Sequence, residues 1–164
     1  MKKYSRKLAA LAAAASLALT GTLAGCSSAN NDHKIRIGIK FDQPGLGYQD
    51  GSQYTGFDVD VARYVAGKLG YSENQIEFVE SPSANRENML NNGQVDMIFA
   101  TYSITDSRKK TVDFAGPYYS SGQAVLVRAD ESKITGVSDL AGVKVAVQSG
   151  SSSITALQQA APQA

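Results

Sequence analysis

Three groups of side chains in this sequence could take hold of an anion. The first is Lys40. The second is a pair of arginines, Arg86 and Arg108, with Ser103 shortly before Arg108. The third is the run Ser149-Gly150-Ser151-Ser152-Ser153. A guanidinium is a planar fork whose parallel N–H groups match the two oxygens of a carboxylate. A serine run that opens a helix adds free backbone N–H groups and the positive end of the helix dipole. Together these types suit capture of a carboxylate. On residue physics alone plainer readings remain open: Arg108 as a solvated member of the Ser107–Lys110 run, Arg86 on an exposed helix, Lys40 at a strand end, and the serines as an N-cap.

Other chemistries lack a nucleus. Nucleophilic catalysis needs a nucleophile beside a base. The sequence beyond the first 33 residues has no His and no Cys, and no G-x-S-x-G turn. No G-x-x-x-x-G-K-[ST] or G-x-G-x-x-G loop is present for phosphates. The acidic residues are scattered rather than clustered as metal ligands. No metal and no cofactor is therefore expected.

The elements that must position these residues alternate between strand and helix. Lys34–Lys40 alternates apolar and polar residues and predicts a strand, followed by a Gly/Pro/Asp-rich loop through Gly56. Apolar residues at Val61, Ala62, Val65, Ala66 and Leu69 predict a helix over Phe57–Leu69, ended by Gly70. Further strands are expected at Ile76–Val79, Val95–Ala100, Ala124–Arg128 and Lys144–Val147. Shorter helical pieces are expected at Ala84–Leu90 with Ser83 as N-cap, near Lys110 with Thr105 or Asp106 as cap, at Val137–Leu140, and after Gly150. Such alternation predicts a mostly parallel sheet with covered faces, whose ligands bind beyond the carboxyl ends of the strands. Lys40, Thr101–Ser103 and Gln148–Ser153 all fall at such ends.

Composition excludes other classes. Of 164 residues, 43% are hydrophobic and 19% charged, with a formal net charge of +1. Four of the 16 basic residues lie in the first seven positions. Residues 8–164 therefore carry 12 basic against 15 acidic residues, a net of −3. A mildly acidic body does not suit nucleic acid. The cationic opening, the apolar run from Leu8 to about Leu19 and the small residues after it form a secretory signal pattern. That run is shorter than the roughly 20 residues a transmembrane helix needs. Leu23-Ala24-Gly25-Cys26 resembles a bacterial lipobox, so Cys26, the only cysteine, is expected to carry the lipid that tethers the chain to a membrane. Residues 27–33, polar and small, read as a flexible tether that contains the single histidine, His33.

Six ordered motifs resemble the family of bacterial extracellular solute-binding proteins for polar amino acids, family 3. They are Gly56-Phe-Asp-Val-Asp60, Gly93-Gln-Val-Asp-Met97, Ser103-Ile-Thr-Asp-Ser-Arg108, Val112-Asp-Phe-Ala-Gly-Pro-Tyr-Tyr119, Asp139-Leu-Ala-Gly142 and Val145-Ala-Val-Gln-Ser-Gly150. The resemblance implies an α/β, periplasmic-binding-protein-like (type II) fold of two lobes with a ligand between them. It divides the chain into a lipoprotein signal peptide over 1–25, a lipidated tether over 26–33, lobe one over 34–117, a hinge over 118–122 and a partial lobe two over 123–164. By the same resemblance Arg108 would hold the ligand α-carboxylate. Ser103 and the Thr101 backbone would face the α-ammonium, and Ser151 and Ser152 would close from lobe two. The stretches around Lys40 and Arg86 look similar to glutamate-binding members. They imply glutamate, less readily aspartate, with glutamine as the alternative. The implied partners are an amino-acid ligand, the permease subunits of an ABC importer and, through the lipid anchor, the outer face of a membrane. Some relatives on this fold are dehydratases and others ligand sensors. For a dehydratase the candidate acids would be Asp42 and Glu80, which have no evident partner in the sequence. The resemblance further implies that the chain stops one strand-helix unit into lobe two, short of the family's ammonium-binding Asp.

Overall fold

The computed structural model describes residues 33–164. The leader, the lipobox-like Cys26 and the rest of the tether before His33 lie outside the described residues. The organising element is β1 (Ile35–Ile39), which is central in a three-stranded parallel sheet. It pairs on one side with β5 (Ile76–Glu80), Ile37 opposite Phe78. On the other side it pairs with β6 (Met97–Phe99), Ile39 opposite Phe99. Alternation sends Ile35, Ile37 and Ile39 to one face, where all three are buried. Helix α1 (Phe57–Lys68) covers that face with Val59, Ala62 and Ala66. Two alanines in its buried stripe let the helix lie close to the strand. Phe41, Tyr54 and Phe78 extend the core at its rim, with ring centroids 5.2 Å apart along the row.

The start of α1 explains the Gly56-Phe-Asp motif. The Phe57 and Asp58 N–H groups, which have no partner within the helix, donate to the carbonyls of Gly45 and Leu46 at 3.0 Å. That approach leaves no room at Gly56: an added Cβ would sit 2.2 Å from the Leu46 oxygen, and φ is +111°. Gly70, at φ +92°, ends the same helix as expected.

Several expectations are corrected. The segment expected as a loop to Gly56 contains a small antiparallel sheet of β2 (Asp42–Gln43), β3 (Gly47–Asp50) and β4 (Gln53–Thr55). Helix α2 is shorter than expected (Arg86–Asn91), and its N-cap position is Asn85, whose side chain makes no capping bond. Ser83 falls in a turn closed by Asn85 N–H on the Pro82 carbonyl. Leu69 is exposed rather than part of the buried stripe. Neither Ala124–Arg128 nor Lys144–Val147 forms a strand, because neither has a backbone ladder partner among the described residues. Short 3₁₀ turns do form at Arg108–Lys110 and Val137–Leu140. The second is held by Asp139, whose Oδ2 accepts from the Thr135 and Gly136 N–H groups at 2.9 and 3.0 Å. Those donors, Thr135 first, hold the Asp139 carboxyl below its ordinary value. Helix α3 (Ser153–Ala160) follows the serine run.

Candidate functional site

The loop after β6 is the floor of the site. Thr101 sits at φ +46°, a region that a β-branched residue adopts only under constraint. The constraint is Asp58. This buried carboxylate accepts from the Thr101 N–H through Oδ2 at 2.9 Å and from the Tyr118 hydroxyl through Oδ1 at 2.9 Å. Burial, then the neighbouring Asp58, pushes the Tyr118 hydroxyl pKa up, so it stays a donor. The Thr101 hydroxyl lies 3.0 Å from Gln43 Oε1.

Arg86 comes from the first turn of α2 and is 2% exposed. Its Nε donates to the Ser83 carbonyl at 3.2 Å, Nη1 to Ala100 at 3.0 Å and Nη2 to Gly150 at 3.1 Å. All three acceptors are neutral, and no carboxylate lies within ion-pair distance of Arg86 among the described residues. Burial, then the charge of Arg108, lowers its pKa. A guanidinium nonetheless stays charged in proteins. A buried cation without a counter-ion is costly.

Arg108 reaches the same carbonyl. Its Nη2 donates to Gly150 at 2.8 Å and its Nη1 to Ser103 at 2.8 Å. Its Nε faces Glu87 Oε1 at 3.5 Å. Both guanidiniums lie over the ring of Tyr102, with their carbons 4.3 and 4.4 Å from its centroid. The Tyr102 hydroxyl donates to Glu87 Oε1. Burial first and Glu87 second push that hydroxyl pKa well up.

The far wall is the serine run. Ser103 Oγ and Ser152 Oγ are 3.1 Å apart. Ser153 Oγ donates to Gln123 Oε1 at 2.7 Å. Ser151 Oγ is buried and has no hydrogen-bond partner among the described residues. Gly150 is pressed against the turn before α2: an added Cβ would lie 2.6 Å from Ala84 Cα, and φ is +73°.

These walls line a partly open cavity of about 160 Å³. A cavity of roughly 150 Å³ accommodates a molecule the size of benzene, so the space fits one small solute. Six of the seven residues named from the sequence line it: Arg86, Thr101, Ser103, Arg108, Ser151 and Ser152. The seventh, Lys40, is buried and is not among the lining residues; its Nζ pairs with Asp42 Oδ1 at 3.1 Å. Gln148 and Ser153, which also line the cavity, belong to the strand-end segment singled out from the sequence; sequence reasoning missed the lining residues Gln43, Ser83 and Gln123, and also Asp58, Tyr102 and Glu87 behind the lining. Asp42, two positions after Lys40 and so on the same side of an extended chain, was a readable signal for the Lys40 pairing. No carboxylate lines the cavity. The two guanidiniums of the wall, Arg86 and Arg108, face the cavity directly, while the two carboxylates, Glu87 and Asp58, lie behind the lining.

A parallel α/β sheet with a cationic, hydroxyl-lined cavity beyond its strand ends defines a solute-binding architecture. The chain belongs to the bacterial extracellular solute-binding proteins, family 3, whose model matches residues 35–163. It is 41% identical to the glutamate-binding protein GluB of Corynebacterium glutamicum over 151 residues, which cover 85% of this chain and 51% of that protein. It is 41% identical over 133 residues to a glutamine-binding protein of Geobacillus stearothermophilus, covering 79% and 50% of the two chains. Among solved structures, an ancestral arginine-binding protein bound to glutamine matches with a TM-score of 0.72 at 35% identity, over 79% of this chain and 56% of that one. The chain spans about half the length of the relatives it matches.

Proposed function

We propose that these residues form the amino-acid site of an extracytoplasmic receptor that delivers its solute to an ABC importer. The ligand is glutamate, or aspartate less tightly, and Cys26 carries the lipid anchor. In this reading residues 34–117 form one lobe and 123–164 the beginning of a second, with 118–122 as the hinge. The supporting observation is Arg86, a buried guanidinium with no anion of its own, beside a second guanidinium on Arg108. Each guanidinium has five N–H donors, and the bonds described above leave donors over on both. Arg108 takes the α-carboxylate and Arg86 the side-chain carboxylate. A carboxamide in place of the latter would leave the Arg86 charge uncompensated. Similarity to glutamate- and glutamine-binding proteins supports an amino acid of this length.

Calorimetric titration of the chain with L-glutamate, L-aspartate and L-glutamine tests the reading. Glutamate is expected to bind at least about tenfold more tightly than glutamine, a difference of about 1.4 kcal/mol. Arg86→Gln should erase that preference. Tighter binding of glutamine, or a preference unchanged by Arg86→Gln, would refute glutamate as the ligand.

A further inference from the structure

Glu87 does not line the cavity, yet it touches Arg108 and the tyrosine on which both arginines lie. Its Oε1 receives the Tyr102 hydroxyl and lies 3.5 Å from Arg108 Nε. The Tyr102 ring in turn supports both guanidiniums, at 4.3 and 4.4 Å. The Phe114 ring packs on Tyr102 with centroids 5.3 Å apart, limiting how far that ring can shift. Rotation of Arg108 about its last bonds would swing its Nη groups away from the cavity. A carboxylate paired with Nε at 3.5 Å, an ion pair rather than a hydrogen bond, resists that rotation without using the Nη groups. We infer that Glu87 is a positioning residue for anion capture: through Tyr102 and Arg108 Nε it aims the guanidinium fork at the cavity.

A negative charge behind an anion site should by Coulomb's law weaken anion binding. Positioning predicts the opposite sign on its removal, and that contrast makes the inference testable. It rests on the amino-acid receptor reading, so the experiment has two arms. In the first, the full chain is titrated with L-glutamate. Glu87→Ala is expected to weaken binding on the order of tenfold, although the site becomes more positive. Glu87→Gln, which keeps an acceptor oxygen for the Tyr102 hydroxyl but loses the ion pair, should recover part of the loss. Tyr102→Phe, which keeps the ring and deletes only the hydroxyl, should weaken binding in the same direction; it carries this arm if Glu87→Ala does not fold. Tighter binding by Glu87→Ala, or equal affinities for the Ala and Gln variants, would overturn the inference. The second arm needs no ligand. The Nε–Hε resonance of Arg108, assigned with Arg108→Lys, should move and exchange faster with solvent in Glu87→Ala. An unchanged resonance overturns the positioning role even if the chain binds no amino acid, an outcome that would itself refute the receptor reading.

Discussion

Ile35-Arg-Ile-Gly-Ile39 and Ala124-Val-Leu-Val-Arg128 are both short β-prone segments, but the structure treats them differently. The first pairs with a strand on each side and buries all three isoleucines. The second pairs with nothing among the described residues, and Leu126 is 97% exposed. The contrast extends to the regions around them. Residues 34–117 contain both sheets, α1 and α2. Residues 118–164 contain one 3₁₀ turn, α3 and extended chain. A strand forms only if another backbone accepts its hydrogen bonds, so β-propensity without a partner yields extended, solvated chain.

The largest expected effect that could break this comparison is in the first region. Ile37→Ala should cost about 2–5 kcal/mol of unfolding free energy, as for deletion of buried methylenes elsewhere. A denaturant titration measures it, and a loss below 1 kcal/mol would mean that the sheet is not the stabilising core. Next is the bridge between regions. Asp58→Ala leaves the Thr101 N–H and the Tyr118 hydroxyl without their acceptor and should cost about 1–3 kcal/mol. It should also weaken ligand binding, because Thr101 is free to leave its strained conformation. Unchanged affinity would separate Thr101 from the site.

A smaller effect belongs to Asp139. Its folded pKa lies below that of an ordinary carboxyl, because the Thr135 N–H, then the Thr135 hydroxyl and the Gly136 N–H, bond to its charged form. Its contribution is therefore present at neutral pH and is lost as acid carries the solution down through the folded pKa. The amides of Thr135 and Gly136 should lose hydrogen-exchange protection over that interval, and Asp139→Asn should reduce the pH response. The smallest effect is Leu126→Ser, expected within about 0.5 kcal/mol of the parent. A loss of 2 kcal/mol there would show that Leu126 is packed in solution and would erase the difference between the two regions.

What was legible in the sequence follows the same division. β1, α1, β5 and the Val137–Leu140 turn were readable because their periodicity and caps are local. The β2–β4 sheet was missed because strands of two to four residues amid Gly, Pro and Asp carry too little pattern. The two strands expected after residue 118 were misread because pairing is not a local property. In the site, arginines and serines at strand ends were legible from type and place. Glu87, Tyr102 and Asp58 were not, since their importance comes from what they touch across the fold. Asp58 receives bonds from residues 43 and 60 positions away.

The Gly150 carbonyl is one oxygen claimed by two cations, at 3.1 Å from Arg86 and 2.8 Å from Arg108. A carboxylate that takes those same N–H groups does so as a rival of the protein's own backbone. Thermodynamic reciprocity then applies: whatever fastens the 148–153 segment to the arginines lowers their appetite for an anion by the same factor that the anion loosens the segment. For any carboxylate that takes these donors rather than the spare ones, the wall of the site is also an internal competitor, and binding is set partly by how readily a glycine lets go.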